Sequence, residues 1–197
     1  MRTAEVKRKT AETDIEIRVD LDGDAEKSVI DSGIGFLDHM LTLLSRHAAV
    51  EMKVLCKGDT EVDDHHSTED IGIALGKAMQ DALGDKKGIR RYASIALPMD
   101  EALVLCALDL SGRSSFHMQV SFAAEKIGTF DTQLVKEFFL GLTRSCPMSL
   151  HFQKMAGEND HHVAEAMFKG FGRALAEAVA PDPRLNGAVP SSKGVLA

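Results

Sequence analysis

The chain has no tryptophan, one tyrosine and only three cysteines among its 197 residues. With so few large aromatic rings it has little material for stacking on bases, and a net charge of −7 has the wrong sign for a general phosphate-backbone surface. No apolar run approaches the length of a membrane-spanning helix, and the charged amino terminus lacks the apolar core of a secretory signal. These absences exclude a general nucleic-acid surface and membrane insertion, and we expect a cytoplasmic protein.

The three cysteines are Cys56, Cys106 and Cys146, which are widely spaced and form no CxxC pair. Neither a disulfide framework nor a thiolate zinc site is indicated by this spacing and by the odd number. We therefore expect all three thiols to be buried as small hydrophobic side chains.

The chain repeats itself. Residues 12–23 alternate apolar and polar positions, as a half-buried strand does, and residues 101–112 carry the same pattern at an offset of 89. The sequence HHxxE at 65–69 recurs at 161–165, at an offset of 96, and similar residues follow both copies. Duplication of one unit, with a seven-residue difference in loop length between its copies, accounts for both matches.

Each half also has an amphipathic helix before its histidine pair. Apolar residues recur at helical spacing in 36–46 and in 134–142, and strands are predicted at 49–57 and 149–155. We predict an α+β fold of two similar halves, residues 1–93 and 94–197, each a β-sheet covered by helices and together forming one compact unit. Beyond Pro181 the chain is rich in Pro, Gly and Ser, which predicts a loop without a core of its own.

The spacing within each HHxxE motif suits a metal site. Residues three and four apart share one face of a helix, so His65, His66 and Glu69 are neighbours there, as are the residues of the second copy. Imidazole and carboxylate without thiolate favour Mn, Fe, Co, Ni or Zn over Ca or Mg, and we prefer Mn with Zn second. One such motif alone is as typical of a surface hydrogen bond, but two copies in register favour a metal.

Further donors are expected on the helices that precede the motifs. His39 is the candidate in the first half and Glu137 in the second, with His151 a poorer candidate on a strand. His47 and His117 have no comparable company, and we expect both to be structural or exposed.

Charged residues flank both motifs. We interpret the acidic segment 59–64 as a solvated loop rather than as additional ligands. Lys169 lies four residues after Glu165, where it either attracts an anionic substrate or simply pairs with that glutamate.

The assembled motifs resemble the imidazoleglycerol-phosphate dehydratase family of histidine biosynthesis, over nearly the whole chain. The segments that carry the resemblance are FLDHM at 36–40, DHHSTED at 64–70, DLSGR at 109–113, DTQLV at 131–135, HHVAEAMFK at 161–169 and PSSKG at 190–194. The resemblance implies halves of the ribosomal protein S5 domain 2-like fold, a cage of 24 identical subunits and active sites at subunit interfaces. It also implies a hydro-lyase with two Mn²⁺ ions per active site that converts D-erythro-imidazole-glycerol phosphate into imidazole acetol phosphate.

The resemblance assigns roles to particular residues. The metal ligands that it implies are His39, His65, His66, Glu69, Glu137, His161, His162 and Glu165, although some members have histidine in place of Glu137. The contacts to the phosphate substrate that it implies are Glu12, His39, Arg91, Arg113, Lys169, Ser191, Ser192 and Lys193. Residues 190–194 then become a phosphate-binding segment rather than a flexible end.

The general acid or base of the implied reaction is expected to be Glu12, with its repeat partner Glu101 as the rival. Two other functions remain open on the sequence. One is a metal-dependent hydrolase that uses a metal-bound water, and the other is a non-catalytic metal-storing cage. The basic residues Arg91, Arg113 and Lys193 argue against storage, which needs no anion pocket.

Overall fold

The structure, a computed structural model, describes residues 2–194 and 196. Within them lie ten strands and four α-helices. The strands are β1 (Thr3–Lys9), β2 (Thr13–Asp20), β3 (Val29–Asp31), β4 (Glu51–Gly58), β5 (Tyr92–Met99), β6 (Ala102–Asp109), β7 (Ser115–Gln119), β8 (Lys126–Ile127), β9 (Phe130–Asp131) and β10 (Ser149–Ala156). The helices are α1 (Gly35–Ala48), α2 (His65–Leu83), α3 (Gln133–Ser145) and α4 (Asp160–Val179).

The two halves form sheets of the same topology. The strand order is β1-β2-β4-β3 in one sheet and β5-β6-β10-β7 in the other. In each sheet three strands are antiparallel, and the short edge strand, β3 or β7, runs parallel to its neighbour. The predicted α+β fold with duplicated halves is thereby confirmed. β5 begins at Tyr92, so the division placed between residues 93 and 94 lies inside this strand.

The halves differ mainly in one connection. Residues 120–132 join β7 to α3, whereas residues 32–34 join β3 to α1. The longer connection contains the β8–β9 hairpin, and its Phe130 ring lies 5.0 Å from that of Phe36 on α1. The connection before α4 is in turn shorter than the one before α2. The seven-residue difference inferred from the sequence is therefore the net result of length changes in more than one connection.

Apolar side chains from both sheets and all four helices form the core. On β2 the inward residues Ile15, Ile17 and Val19 are buried, while charged residues alternate with them on the outer face. Helix α2 packs on β1 and β2, and α4 packs on β5 and β6. Helices of opposite halves also pack together, α1 on α4 and α2 on α3, so the helices lie between the two sheets. Each fully buried aliphatic side chain in this layer contributes about 1.5–3 kcal/mol.

Glycines set how closely the helices of opposite halves approach. A Cβ atom at Gly76 of α2 would lie 2.4 Å from the Leu142 carbonyl oxygen of α3. At the equivalent position of α4, a Cβ at Gly172 would lie 2.8 Å from the Leu44 carbonyl oxygen of α1. Because the obstacle in both cases is backbone, any larger residue must push the helices apart.

The cysteines are buried, as expected, and carry free thiols. Burial raises the pKa of the Cys146 thiol to about 12, so it is unreactive at neutral pH. Within the described part of the chain, no helix is both long and apolar enough to cross a membrane.

We expect Gly76→Ala to lower the free energy of unfolding by about 1–3 kcal/mol, because the new methyl group overlaps the α3 backbone. The measurement is urea unfolding followed by circular dichroism. Gly35→Ala is the control, since a Cβ at this helical position would meet no atom within 4 Å. Equal unfolding midpoints in the two variants would contradict the role of Gly76.

Candidate metal centre

Three donors from opposite halves converge between α1 and α4. His39 lies on α1, and His161 and Glu165 lie one turn apart on α4. The Nε2 atoms of His39 and His161 are 3.4 and 3.3 Å from Glu165 Oε2, and one donor atom from each residue lies within 4.8 Å of the others. This triad of imidazole and carboxylate donors can hold a divalent transition metal.

Local structure around the triad fixes the position of His161. The Asn159 side chain accepts a hydrogen bond from the His161 backbone N–H at 3.0 Å and so caps α4 at the motif. The Phe36 ring meets the His161 ring edge-on at a centroid distance of 5.4 Å. The start of α4 is also tied to the long β7–α3 connection, because Asp160 accepts hydrogen bonds from the backbone N–H groups of Ala123 and Ala124 at 2.9 and 2.7 Å.

Glu165 is held as a carboxylate. Burial opposes its ionisation, but the hydrogen bond and the charge of Lys169, together with His39, outweigh this effect and lower its pKa. The ion pair between Lys169 and Glu165 that the sequence allowed is therefore formed. The Lys169 ammonium group therefore lies beside the carboxylate of the triad. His47 also lies close to this group, and burial, then the charges of Lys169 and Arg173, lower its pKa.

The first motif is less complete within one chain. His65 Nε2 lies 3.8 Å from Glu69 Oε2, as in the second motif. Glu137 is the fifth residue of α3, just as His39 is the fifth of α1. Among the described residues, however, only the triad has three donors within 4.8 Å of one another. The ligand role of Glu137 stays a prediction.

The two histidine rings of each motif have the same relative orientation in both halves. The rings of His65 and His66 are 6.1 Å apart at 86°, and those of His161 and His162 are 6.2 Å apart at 84°. In both motifs the planes of the two imidazole rings are therefore nearly perpendicular. The geometry of the duplicated motif is the same in the two halves even though one half gathers more donors.

We call His66 and His162, the second histidine of each motif, the outer histidines. The sequence analysis did not identify the carboxylates that contact them. His66 Nδ1 lies 3.0 Å from Asp59 Oδ2, and His162 Nδ1 lies 2.7 Å from Glu101 Oε2. The Asp59 side chain is only 21% exposed, so the interpretation of segment 59–64 as a solvated loop is wrong for this residue. Asp59 lies seven residues before His66 in a loop, and no periodicity reports such a contact.

These contacts also shift pKa values. The hydrogen bond that His66 donates to Asp59 raises the pKa of His66, and the one that His162 donates to Glu101 raises the pKa of His162. Glu101 itself has a pKa of about 2, because it accepts from His162 and from the backbone N–H of Asn159.

Carboxylates also lie on the Nε2 side of both outer histidines. Glu12 Oε1 is 3.7 Å from His66 Nε2, and Asp100 Oδ2 is 3.7 Å from His162 Nε2. In position relative to the imidazole, the counterpart of Glu12 is therefore Asp100 and not the sequence equivalent Glu101.

The predicted anion-binding residues lie in two places. The Arg91 guanidinium donates to the Asp109 carboxylate at 2.7 and 3.1 Å, and its Nη1 donates to the Pro190 carbonyl at 2.7 Å. Arg113 follows Ser111 near this point, and its backbone N–H donates to the Ser111 hydroxyl at 3.2 Å. Lys169 lies at the triad, and among the described residues no hydrogen bond or ion pair joins it to Arg91 or to residues 190–194.

The tail beyond Pro181 is anchored. The Asp182 N–H donates to the Gly88 carbonyl at 2.7 Å, and the Gly88 N–H donates to the Ala188 carbonyl at 2.9 Å. With Arg91 holding Pro190, the chain is fixed up to the segment that contains Ser191, Ser192 and Lys193, of which the last two are exposed. The backbone that leads to this segment is therefore ordered by specific contacts.

Comparison with known proteins gives one consistent family. The model of the family "Imidazoleglycerol-phosphate dehydratase" matches residues 32–175. Proteins of that name from Methylorubrum extorquens and Cereibacter sphaeroides are 54% and 55% identical over 196 residues, covering 100% of both chains.

Solved structures agree. The imidazoleglycerol-phosphate dehydratase of Staphylococcus aureus superposes with a TM-score of 0.83 at 38% identity, covering 91% of this chain and 99% of that one. The Pyrococcus furiosus enzyme in complex with (S)-C348 also gives 0.83, at 35% identity, covering 97% and 100%. The fold, the duplicated motifs and these matches together show that the chain belongs to the imidazoleglycerol-phosphate dehydratase family.

Proposed function

We propose that this protein is an imidazoleglycerol-phosphate dehydratase, a hydro-lyase that converts D-erythro-imidazole-glycerol phosphate into imidazole acetol phosphate in histidine biosynthesis. The observation that carries the proposal is the convergence of His39, His161 and Glu165 in a chain of this family. The reaction removes a carbon-bound proton and a hydroxyl group as water, and the resulting enol becomes the ketone.

The donor set fits divalent metal, and Mn²⁺ is our choice, with Zn²⁺ or another divalent ion as the alternative. His39, His161 and Glu165 would hold one ion. His65, Glu69 and Glu137 would contribute to a second. Such ions, when bound, supply Lewis acidity for the substrate imidazole and for a hydroxyl oxygen.

Glu12 is the group that we propose to move the carbon-bound proton. Its side chain is 52% exposed and lies on the Nε2 side of His66, the side from which an imidazole reaches a metal. Glu101 is a poorer base, since one of its oxygens accepts from backbone N–H groups and the other from His162. A carboxylate with a pKa of about 2 also has little affinity for a proton.

Phosphate binding is proposed for the cationic residues. Lys169 stands beside the triad, and Lys193 is exposed in the segment that Arg91 anchors through Pro190. A rigid anchor lowers the entropic cost of closing a loop over an anion. Arg91 acts chiefly by holding the tail, since its guanidinium already contacts Asp109 and Pro190.

We also propose that the protein forms a homo-oligomer with active sites at subunit interfaces. The resemblance to the family implies 24 subunits. Two features support it. The Nδ1 atoms of His66 and His162 contact Asp59 and Glu101, which leaves their Nε2 atoms for a metal ion shared with a neighbouring subunit.

The second feature is the outer face of the sheet formed by β5, β6, β10 and β7. It carries Ser94, Ala96, Leu105, Ala107 and His151, whereas the outer face of the other sheet carries charged residues at most positions. Because the sheets share one topology, the fold does not impose this difference. A face with so few charges is suited to burial against another copy.

The direct test supplies the Mn²⁺-loaded protein with imidazole-glycerol phosphate. We expect the enolisable ketone to form, to cease forming when a chelator removes the metal, and to form again when Mn²⁺ is restored. A hydrolase would instead release inorganic phosphate, and a storage protein would release neither product. Tight Mn²⁺ binding without ketone formation would contradict the proposed function.

Glu12→Gln should retain bound metal and lose roughly 10²–10⁴-fold in kcat, because the amide cannot accept the proton. Glu5→Gln is the matched control, with a glutamate that is 51% exposed on the neighbouring strand. Asp100→Asn is the informative comparator, because Asp100 holds the corresponding place beside His162. Loss of turnover in Asp100→Asn but not in Glu12→Gln would remove Glu12 from the mechanism.

Deletion of residues 190–197 should raise KM for the phosphate substrate by about tenfold or more, the equivalent of one charged hydrogen bond. Lys193→Ala should reproduce part of the increase. Lys27→Ala, which removes an exposed lysine from the connection between β2 and β3, serves as the control. The measurement is steady-state kinetics, and an unchanged KM after deletion would leave the tail without a role in binding.

A further inference from the structure

In both motifs a carboxylate contacts Nδ1 of the second histidine, but the two carboxylates come from different positions in the repeat. His66 is contacted at Nδ1 by both oxygens of Asp59, at 3.2 and 3.0 Å. His162 is contacted at Nδ1 by Glu101 at 2.7 Å. Asp59 directly follows β4, whereas Glu101 precedes β6. The same chemical contact has therefore been built twice from non-equivalent positions.

The residue equivalent to Asp59 explains the difference. Asp59 is the first residue after β4, and Gly157 is the first residue after the equivalent strand β10. Gly157 has a φ of 124°, and a Cβ there would lie 2.8 Å from that of Ala102. No side chain fits at this point of the second half. A carboxylate for His162 must come from elsewhere, and Glu101 supplies it.

A carboxylate at Nδ1 has a definite effect on an imidazole. Ionised carboxylates only accept hydrogen bonds, so the hydrogen lies on Nδ1 and the Nε2 lone pair is free for a metal. The contact also fixes the ring orientation. Loss of such a carboxylate allows the other tautomer, in which the hydrogen blocks Nε2.

We infer that Asp59 and Glu101 are positioning residues that hold His66 and His162 as Nε2 donors, and that Asp59 thereby leaves Glu12 available for proton transfer. Glu12 occupies the repeat position of Glu101 but lies at Nε2 rather than Nδ1 of its histidine. In the first half it is therefore Asp59, and not Glu12, that orients the histidine. The inference rests on the proposed function for the metal role of the two histidines.

The test measures metal affinity without substrate, by competition titration of Mn²⁺ and by the visible absorption of bound Co²⁺. Asp59→Ala should weaken binding by roughly 10–100-fold, the usual effect of removing such a partner. Asp59→Asn should recover most of the affinity, because its amide oxygen still accepts from Nδ1. Glu61→Gln, in the same loop and exposed, is the matched control and should bind as the wild type does.

Glu101→Gln tests the second half. Its oxygen can keep the hydrogen bonds from the backbone N–H groups of Glu158 and Asn159, so the loop is retained. Its amide NH₂ then faces His162 Nδ1 and favours the wrong tautomer. We expect a loss of metal affinity of roughly 10–100-fold, with an altered Co²⁺ spectrum and an unchanged urea midpoint.

Equal affinities in Asp59→Ala and Glu61→Gln would overturn the inference. So would an Asp59→Asn variant as weak as Asp59→Ala, since the effect would then be one of charge and not of orientation. Failure of the proposed function has a different signature. In that case the wild type would bind metal and the variants would weaken it as expected, but no ketone would form from the substrate.

Discussion

Contact between helices of opposite halves is the constraint on which the site depends. α1 packs on α4 and α2 packs on α3, so each histidine motif meets a helix from the other copy of the repeat. Gly76 and Gly172 permit this approach, because any Cβ would strike a carbonyl of the facing helix. A displacement of about 1 Å along this contact would separate His39 from Glu165, since metal donors tolerate little error in position.

Duplication gives two related half-sites, and their differences show how such a site acquires distinct roles. In both halves a carboxylate orients the outer histidine and a second carboxylate lies on its Nε2 side. In the second half Gly157 leaves no room for a side chain at the position equivalent to Asp59, and Glu101 supplies the carboxylate instead. Glu12 has no such orienting contact and is the group that we propose for proton transfer, whereas Glu101 has a pKa of about 2 and binds a loop and a histidine.

The outer surfaces differ as well. One sheet exposes charged side chains of both signs. The other exposes mainly small, apolar and uncharged polar residues, among them His117 and His151, whose stacked rings are 4.5 Å apart. His117 was expected to be structural or exposed, and it lies on this face. Water solvates the first surface well. The second surface loses less hydration free energy when it is buried, which is consistent with the proposed assembly of identical subunits.

Apolar periodicity and the repeated motif predicted the four helices, the strands β2, β4, β6 and β10, and the duplication, because these are local signals that neighbouring residues carry. The sequence by itself also determined that His65, His66 and Glu69, and their copies, share a helix face. Which of these residues come into contact depends on the tertiary structure. His39 joins the second motif and not the first, and Asp59 lies in a loop but contacts His66. The seven-residue difference between the repeats is spread over more than one connection. No local pattern reports these features, because helix crossing and loop path depend on contacts between residues far apart in the chain.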